Sequence, residues 1–170
     1  LLKGFSIALK NTQIDDLHLV LIGDLKGAGF HSHYNELKDA IQAAPILTNK
    51  VHFTGYISDQ DLVALYSDAL AIVMPSFSEG FGLPAIESMA CNTPVLSSDT
   101  GSLPEVVGDA GLYFDPHKPT QIAKAIERIA SDSDLHHNLK HKAIQRAATF
   151  TWDNAAKLTL DSLEKVGRSS

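Results

Sequence analysis

Pro75-Ser76-Phe77-Ser78-Glu79-Gly80-Phe81-Gly82-Leu83-Pro84-Ala85-Ile86-Glu87-Ser88-Met89-Ala90 is the stretch around which the rest of the sequence is arranged. The apolar run Leu70-Ala71-Ile72-Val73-Met74 leads into it, with the length and flanks of a strand buried on both faces. Pro84 suits the first helical position, where its missing N–H costs nothing. Gly80 and Gly82 bracket a turn in which backbone approaches something closely or takes positive φ. A strand, a Gly-rich turn and a helix N-terminus together form an anion site. Glu79 opens the turn and Glu87 follows with seven residues between them, about one turn into the helix. A phosphate bound there would lie between two carboxylates. Surface loops often carry a glutamate, but beside Gly-Phe-Gly at the carboxyl end of a strand Glu79 reads as facing a ligand.

Outward from this stretch, strands alternate with helices. Leu17–Ile22, Val51–Gly55, Pro94–Ser98 and Leu112–Phe114 read as strands. Lys3–Leu9 reads as a helix already under way, and Tyr34–Ala43 has helical spacing at Leu37, Ala40 and Ile41. Ser58-Asp59-Gln60-Asp61 resembles a capping box with a short acid, ahead of a stripe at Leu62, Leu65, Tyr66 and Ala69. Leu103–Val107 makes a short helix, and Pro119 opens one with Ile122, Ala123, Ile126 and Ile129 on one face. A further helix covers Leu135–Ala148, and Thr151 caps the last, which carries Trp152, Ala155, Ala156, Leu160 and Leu163. The fold class is α/β: a Rossmann-like parallel sheet covered by helices on both faces. In a doubly wound sheet the strand before the first helix is central. Residues 1–170 therefore predict one domain with its first strand position open and with upstream residues that belong to it.

Composition narrows the function. The 170 residues, 44% apolar and 20% charged, suit one soluble globular domain. No apolar run approaches the roughly 18 residues of a membrane span, and the first residues lack the apolar core of a signal peptide. Cys91 is the one cysteine, so an intrachain disulfide is excluded and a reducing compartment fits. The expected location is cytoplasmic, with peripheral attachment of the full-length protein to a membrane left open. A net charge of −6 argues against a nucleic-acid partner but not against a nucleotide ligand. The Gly23–Gly29 loop fits neither a dinucleotide fingerprint nor a P-loop and reads as a connection. His31, His33, His136 and His137 read as solvated surface rather than as metal ligands, and Phe77 as a packing residue.

Ser78-Glu79-Gly80-Phe81-Gly82-Leu83-Pro84 through Glu87-Ser88-Met89-Ala90 resembles the E-x7-E signature of retaining glycosyltransferases of family 4, which have the GT-B fold. Further segments follow in the family's order: Lys3-Gly4, Thr93-Pro94-Val95, Leu103-Pro104-Glu105-Val106-Val107-Gly108-Asp109-Ala110-Gly111 and Thr151-Trp152. Any one of these is weak; together they cover nearly the whole chain.

The resemblance implies the C-terminal, donor-binding domain of such an enzyme, preceded by its own N-terminal acceptor domain. It implies transfer of a hexose, with a lean toward mannose, from a UDP- or GDP-linked sugar to a saccharide or lipid-linked acceptor. By resemblance Glu79 holds donor-sugar hydroxyls beside the reacting carbon, and the amides of Phe81, Gly82 and Leu83, next to Gly80, face the leaving phosphate or the sugar. Glu87 would accept from the ribose hydroxyls, Lys3 would contact the diphosphate with an upstream arginine, and Tyr56-Ile57 would lie at the base. No cofactor and no metal are expected, because helix N-termini and cationic side chains serve the diphosphate. The fragment alone is expected to be inactive. Alternatives are a GT-B epimerase or hydrolase of nucleotide sugars, which the E-x7-E spacing disfavours, a Rossmann module of a dehydrogenase and a non-catalytic binding domain.

Overall fold

The computed structural model describes residues 1–11, 14, 16–23 and 33–168. Most of the Gly23–Gly29 loop, and His31, lie outside them. Helix α1 (Leu2–Asn11) is followed by β1 (Leu19–Ile22), α2 (Tyr34–Gln42), a short 3₁₀ turn at Pro45–Leu47, β2 (Val51–Gly55) and α3 (Asp59–Asp68). Then come β3 (Ile72–Met74), α4 (Leu83–Ala90), β4 (Val95–Ser98), α5 (Leu103–Val107) and β5 (Gly111–Phe114). Helices α6 (Pro119–Ser131), α7 (Ser133–Ala147) and α8 (Trp152–Arg168) close the chain.

The elements stand in the order the sequence predicts, with shifted ends. Leu17, Leu70 and Ala71 precede their strands, and Pro84 is the second residue of α4 rather than the first. Helix α7 starts two residues earlier than its apolar spacing suggests, because the Asp132 carboxylate accepts the Leu135 amide at 2.9 Å and caps it. Ser58 caps α3 as expected: its Oγ accepts the Asp61 amide at 3.2 Å and donates to the Asp61 carboxylate at 2.7 Å.

All strand pairs are parallel. Leu19 stands opposite Val51, Ile72 opposite Val95, and Val95 opposite Gly111. Among the described residues the strands form two ladders, β1–β2 and β3–β4–β5, with no pairing between them. Side chains cross that break: Leu19 and Val51 pack in the same apolar core as Val73, Leu96, Leu112 and Phe114, under Phe5 and Ala8 of α1 and Ile122, Ile126 and Ile129 of α6. A second core joins α4, α5 and α7 through Met89, Leu103, Val107 and Ala143.

Strand β4 is buried throughout and β3 only half-buried. The full burial expected for Leu70–Met74 is not reached, because among the described residues β3 has a neighbour on one edge only. At the start of β5 a side chain on Gly111 would stand 2.3 Å from the Val95 carbonyl oxygen, so only glycine lets β5 pair with β4. On α3 the expected stripe is buried only at Tyr66, while Leu62, Leu65 and Ala69 are half-buried. The stripe expected on α8 stays exposed, with Trp152 at 91% and Leu163 at 66%, although Thr151 Oγ1 caps the helix by accepting the Asn154 amide.

Candidate functional site at the carboxyl ends of the strands

The loop from Pro75 to Gly82 leaves the carboxyl end of β3 and delivers the chain to the N-terminus of α4. Gly82 is the N-cap, with φ of +91°. A side chain there would meet Leu103 Cδ2 at 2.7 Å and Glu79 Cγ at 3.6 Å. The glutamate's stem thus lies directly against the start of α4. Gly80, the other glycine of the turn, is exposed with open space around it and does not need positive φ.

Two short polar residues and a glycine from the loop after β4 fix Glu79. Its carbonyl oxygen accepts the Ser102 hydroxyl at 3.1 Å and the Ser102 amide at 3.5 Å. Gly101, at φ +61°, lies so close that a Cβ would stand 2.9 Å from that same oxygen. Thr100 Oγ1 donates to the Ser76 carbonyl at 3.0 Å, and Ser76 Oγ donates to the Glu79 carboxylate at 3.2 Å. Glu79 is half-buried, not in the fully exposed turn its local sequence suggests. Its second carboxylate oxygen makes no bond among the described residues and is available to a ligand.

The amides of Phe81, Gly82 and Leu83 donate no hydrogen bond among the described residues, as befits a helix start, and the α4 dipole adds positive potential there. Phe81 is 48% exposed and meets Phe150 edge-on; Leu83 is exposed. Glu87 lies further along α4, exposed, beside the Tyr66 hydroxyl. Tyr56, 88% exposed, and half-buried Ile57 follow β2 at its carboxyl end.

Lys3 is exposed on the first turn of α1, and no hydrogen bond or ion pair joins it to either glutamate among the described residues. It does belong to the same edge of the sheet. The neighbouring Gly4 abuts Pro119 and Ile122 at the start of α6, just after the loop that leaves β5. In that loop His117 stacks on Phe77 with ring centroids 4.6 Å apart, so Phe77 does pack, but at the surface, where it is 65% exposed. Lys118 bonds Asp115 at 2.8 Å, which holds the carboxyl below its ordinary range and the ammonium above its own.

Sequence reasoning missed Ser76, Thr100, Gly101 and Ser102, the residues that hold Glu79. It missed Arg146 as well, whose guanidinium donates to the carbonyls of Glu105 and, at 2.9 Å, Val106 and lies 4.9 Å from the Phe150 ring centre. His136 is corrected too: it is half-buried, its Nε2 is 3.0 Å from the Leu70 carbonyl oxygen, and only His137 is plain surface. His33 is exposed and pairs with Glu36. Among the described residues no three His, Cys, Asp or Glu side chains come together as a metal site, and no helix is long and apolar enough to cross a membrane.

Residues 1–146 match the family described as glycosyl transferases group 1. The chain is 40% identical over 118 residues to a serotype-specific mannosyltransferase, WbdA, of Escherichia coli, an alignment covering 69% of this chain and 14% of that protein. Sucrose-phosphate synthase from Thermosynechococcus elongatus superposes with a TM-score of 0.80 at 30% identity, covering 99% of this chain and 42% of the other. The C-terminal domain of a glycosyl transferase group 1 family protein (LpcC) from Francisella tularensis superposes with a TM-score of 0.70 at 28% identity, covering 87% and 77%. The chain thus spans less than half the length of the mannosyltransferase and of the synthase. With its parallel α/β sheet and a family match over residues 1–146, it belongs to the group 1 glycosyl transferases and has the GT-B C-terminal-domain fold.

Proposed function

We propose that this chain is the donor-binding domain of a retaining, family-4 glycosyltransferase that moves a hexose from a nucleoside diphosphate sugar to an acceptor. One observation carries the reading: Glu79 is fixed by Ser76 and Ser102 against a helix start whose Phe81, Gly82 and Leu83 amides are unengaged among the described residues. An anion seated on those amides puts the attached sugar beside the Glu79 carboxylate. The bond between the sugar's anomeric carbon and the diphosphate breaks, the diphosphate keeps the electron pair and takes the acceptor's hydroxyl proton, and the acceptor oxygen bonds the same face of the carbon. Charge that builds at the carbon is stabilised by Glu79, and charge on the departing phosphate by the amides and Lys3. Glu87 accepts from the ribose, and the base lies over Tyr56-Ile57. No metal or other cofactor takes part in this scheme. The 40% identity to a mannosyltransferase supports mannose, and hence a GDP-linked donor, as the first choice.

The two separate ladders support the domain assignment. In a doubly wound sheet one strand between β1 and β3 would join them, and we assign that strand, with an acceptor domain, to sequence upstream of residue 1. The isolated domain is then inactive. The test is Glu79→Ala in the full-length protein. Nucleotide affinity should hold within about threefold, while transfer falls on the order of 100-fold or more, since the lost contact matters most as charge develops. Equal losses in both would make Glu79 a binding residue only, and undiminished transfer would remove it from the site.

A further inference from the structure

Glu79 and Gly82, at the two ends of the glycine turn, are each held. The Glu79 carbonyl oxygen takes the Ser102 hydroxyl, and the Gly82 carbonyl accepts the Ala85 amide at 3.0 Å as α4 begins. Between them stand Gly80 and Phe81, whose backbone groups make no hydrogen bond among the described residues. A glycine on either side leaves the Phe81 peptide units more conformations than side-chain-bearing neighbours would. A phosphate seated on the Phe81, Gly82 and Leu83 amides needs all three to point one way. The tie that does this is the Phe81 side chain.

The Phe81 ring meets the Phe150 ring with centroids 6.1 Å apart and planes at 83°, the edge-to-face arrangement that aromatic rings favour. Phe150 is fixed on its own account. It stands just past the end of α7, where its amide donates to the Ala147 carbonyl at 3.0 Å. Its half-buried ring packs against the core of α4, α5 and α7. The Arg146 guanidinium lies over that ring, 4.9 Å from its centre, and is itself bound to the carbonyls of Glu105 and Val106.

We propose that Phe150 is a positioning residue for the donor: by holding the Phe81 ring it aims the Phe81 and Gly82 amides at the diphosphate, without touching the nucleotide itself. The proposal rests on those amides as the seat of the diphosphate. Without the ring contact the turn spends less of its time in the arrangement that receives a phosphate, and apparent affinity falls by that fraction.

The experiment is a two-by-two set in the full-length protein, Phe150→Leu and Phe81→Leu alone and together, titrated with UDP and GDP and with uridine and guanosine. Phe150→Leu should weaken the tighter diphosphate by about three- to tenfold, the scale of one aromatic pair. The matching nucleoside should stay within about twofold, because it makes no use of the turn amides. In the Phe81→Leu background the same change should cost diphosphate affinity less than about twofold, since effects routed through a removed group do not add. Equal losses for diphosphate and nucleoside would make Phe150 a packing residue and overturn the proposal. Equal losses with and without the Phe81 ring, or no loss in Phe150→Leu, would overturn it too. An unsubstituted protein that binds nucleoside as tightly as diphosphate would instead remove the phosphate seat, and the proposal with it, an outcome legible without any variant. If Phe150→Leu does not fold, Phe81→Leu decides: it breaks the same contact from the exposed side and should show the same selective loss, and full diphosphate affinity overturns the proposal.

Discussion

Gly101→Ala should damage catalysis from outside the site. Gly101 is exposed, and nothing in its local sequence marks it as more than a turn residue. Its φ of +61° and the 2.9 Å and 3.1 Å that would separate an added Cβ from the Glu79 carbonyl oxygen and amide nitrogen say otherwise. An alanine in the left-handed region costs about 1–2 kcal/mol. The atoms it meets are backbone, which cannot rotate away, so relieving the overlap adds about 1–3 kcal/mol. A total near 2–5 kcal/mol lowers the thermal midpoint of a domain this size by roughly 4–20 °C. The relief must come from shifting the Glu79 backbone, and a displacement approaching 1 Å at a reacting group costs on the order of 100-fold in rate. Calorimetry on the domain and steady-state transfer by the full-length enzyme read the two effects. Gly80→Ala is the control, since no atom lies within 4 Å of its added Cβ and its φ is not positive. A Gly101→Ala protein with the midpoint and transfer rate of Gly80→Ala would show that the loop after β4 does not hold Glu79.

Two further outcomes follow from the same geometry. Arg146→Ala should cost about 2 kcal/mol, since its charged hydrogen bonds to the end of α5 are lost, and Arg146→Lys should recover less than half because a lysine cannot span both carbonyls; thermal melts of the three proteins decide it. Tyr66 should ionise only near pH 12, well after an ordinary tyrosine. Its protonated form is the one the fold favours, so this contribution is complete below about pH 10 and is lost as pH rises through 12, readable by ultraviolet difference titration beside denaturant melts. A Tyr66 transition near pH 10 would show that neither burial nor the Glu87 charge acts on the phenol.

The site's backbone was legible in the sequence because consecutive residues build it: strand, glycines, proline and helix follow one another from Ile72 to Ala90. Its supports were not, because they arrive from afar. Ser102 is 23 residues from Glu79, and nothing in the short polar run Asp99-Thr100-Gly101 says what it holds. Periodicity marked Tyr66 as inward-facing and was silent about the carboxylate at its tip. His136 shows the same limit: its polar helix face predicts water, yet its ring reaches a carbonyl 66 residues earlier. Periodicity on α8 identified the apolar face correctly. It says which side is apolar, not whether anything covers it, and Trp152 and Leu163 are uncovered.

The break between the two ladders has a consequence for how the isolated domain, without the strand assigned upstream, comes apart. No backbone hydrogen bond ties β1–β2 to β3–β4–β5 among the described residues, so side-chain packing under α1 and α6 is what couples them. Packing of that kind can loosen on one side while the other keeps its ladder. The amides of Val51–Gly55 therefore exchange with solvent through a partial opening of lower free energy. Those of Val95–Ser98, buried along their whole length and paired on both edges, wait for the chain to unfold as a whole.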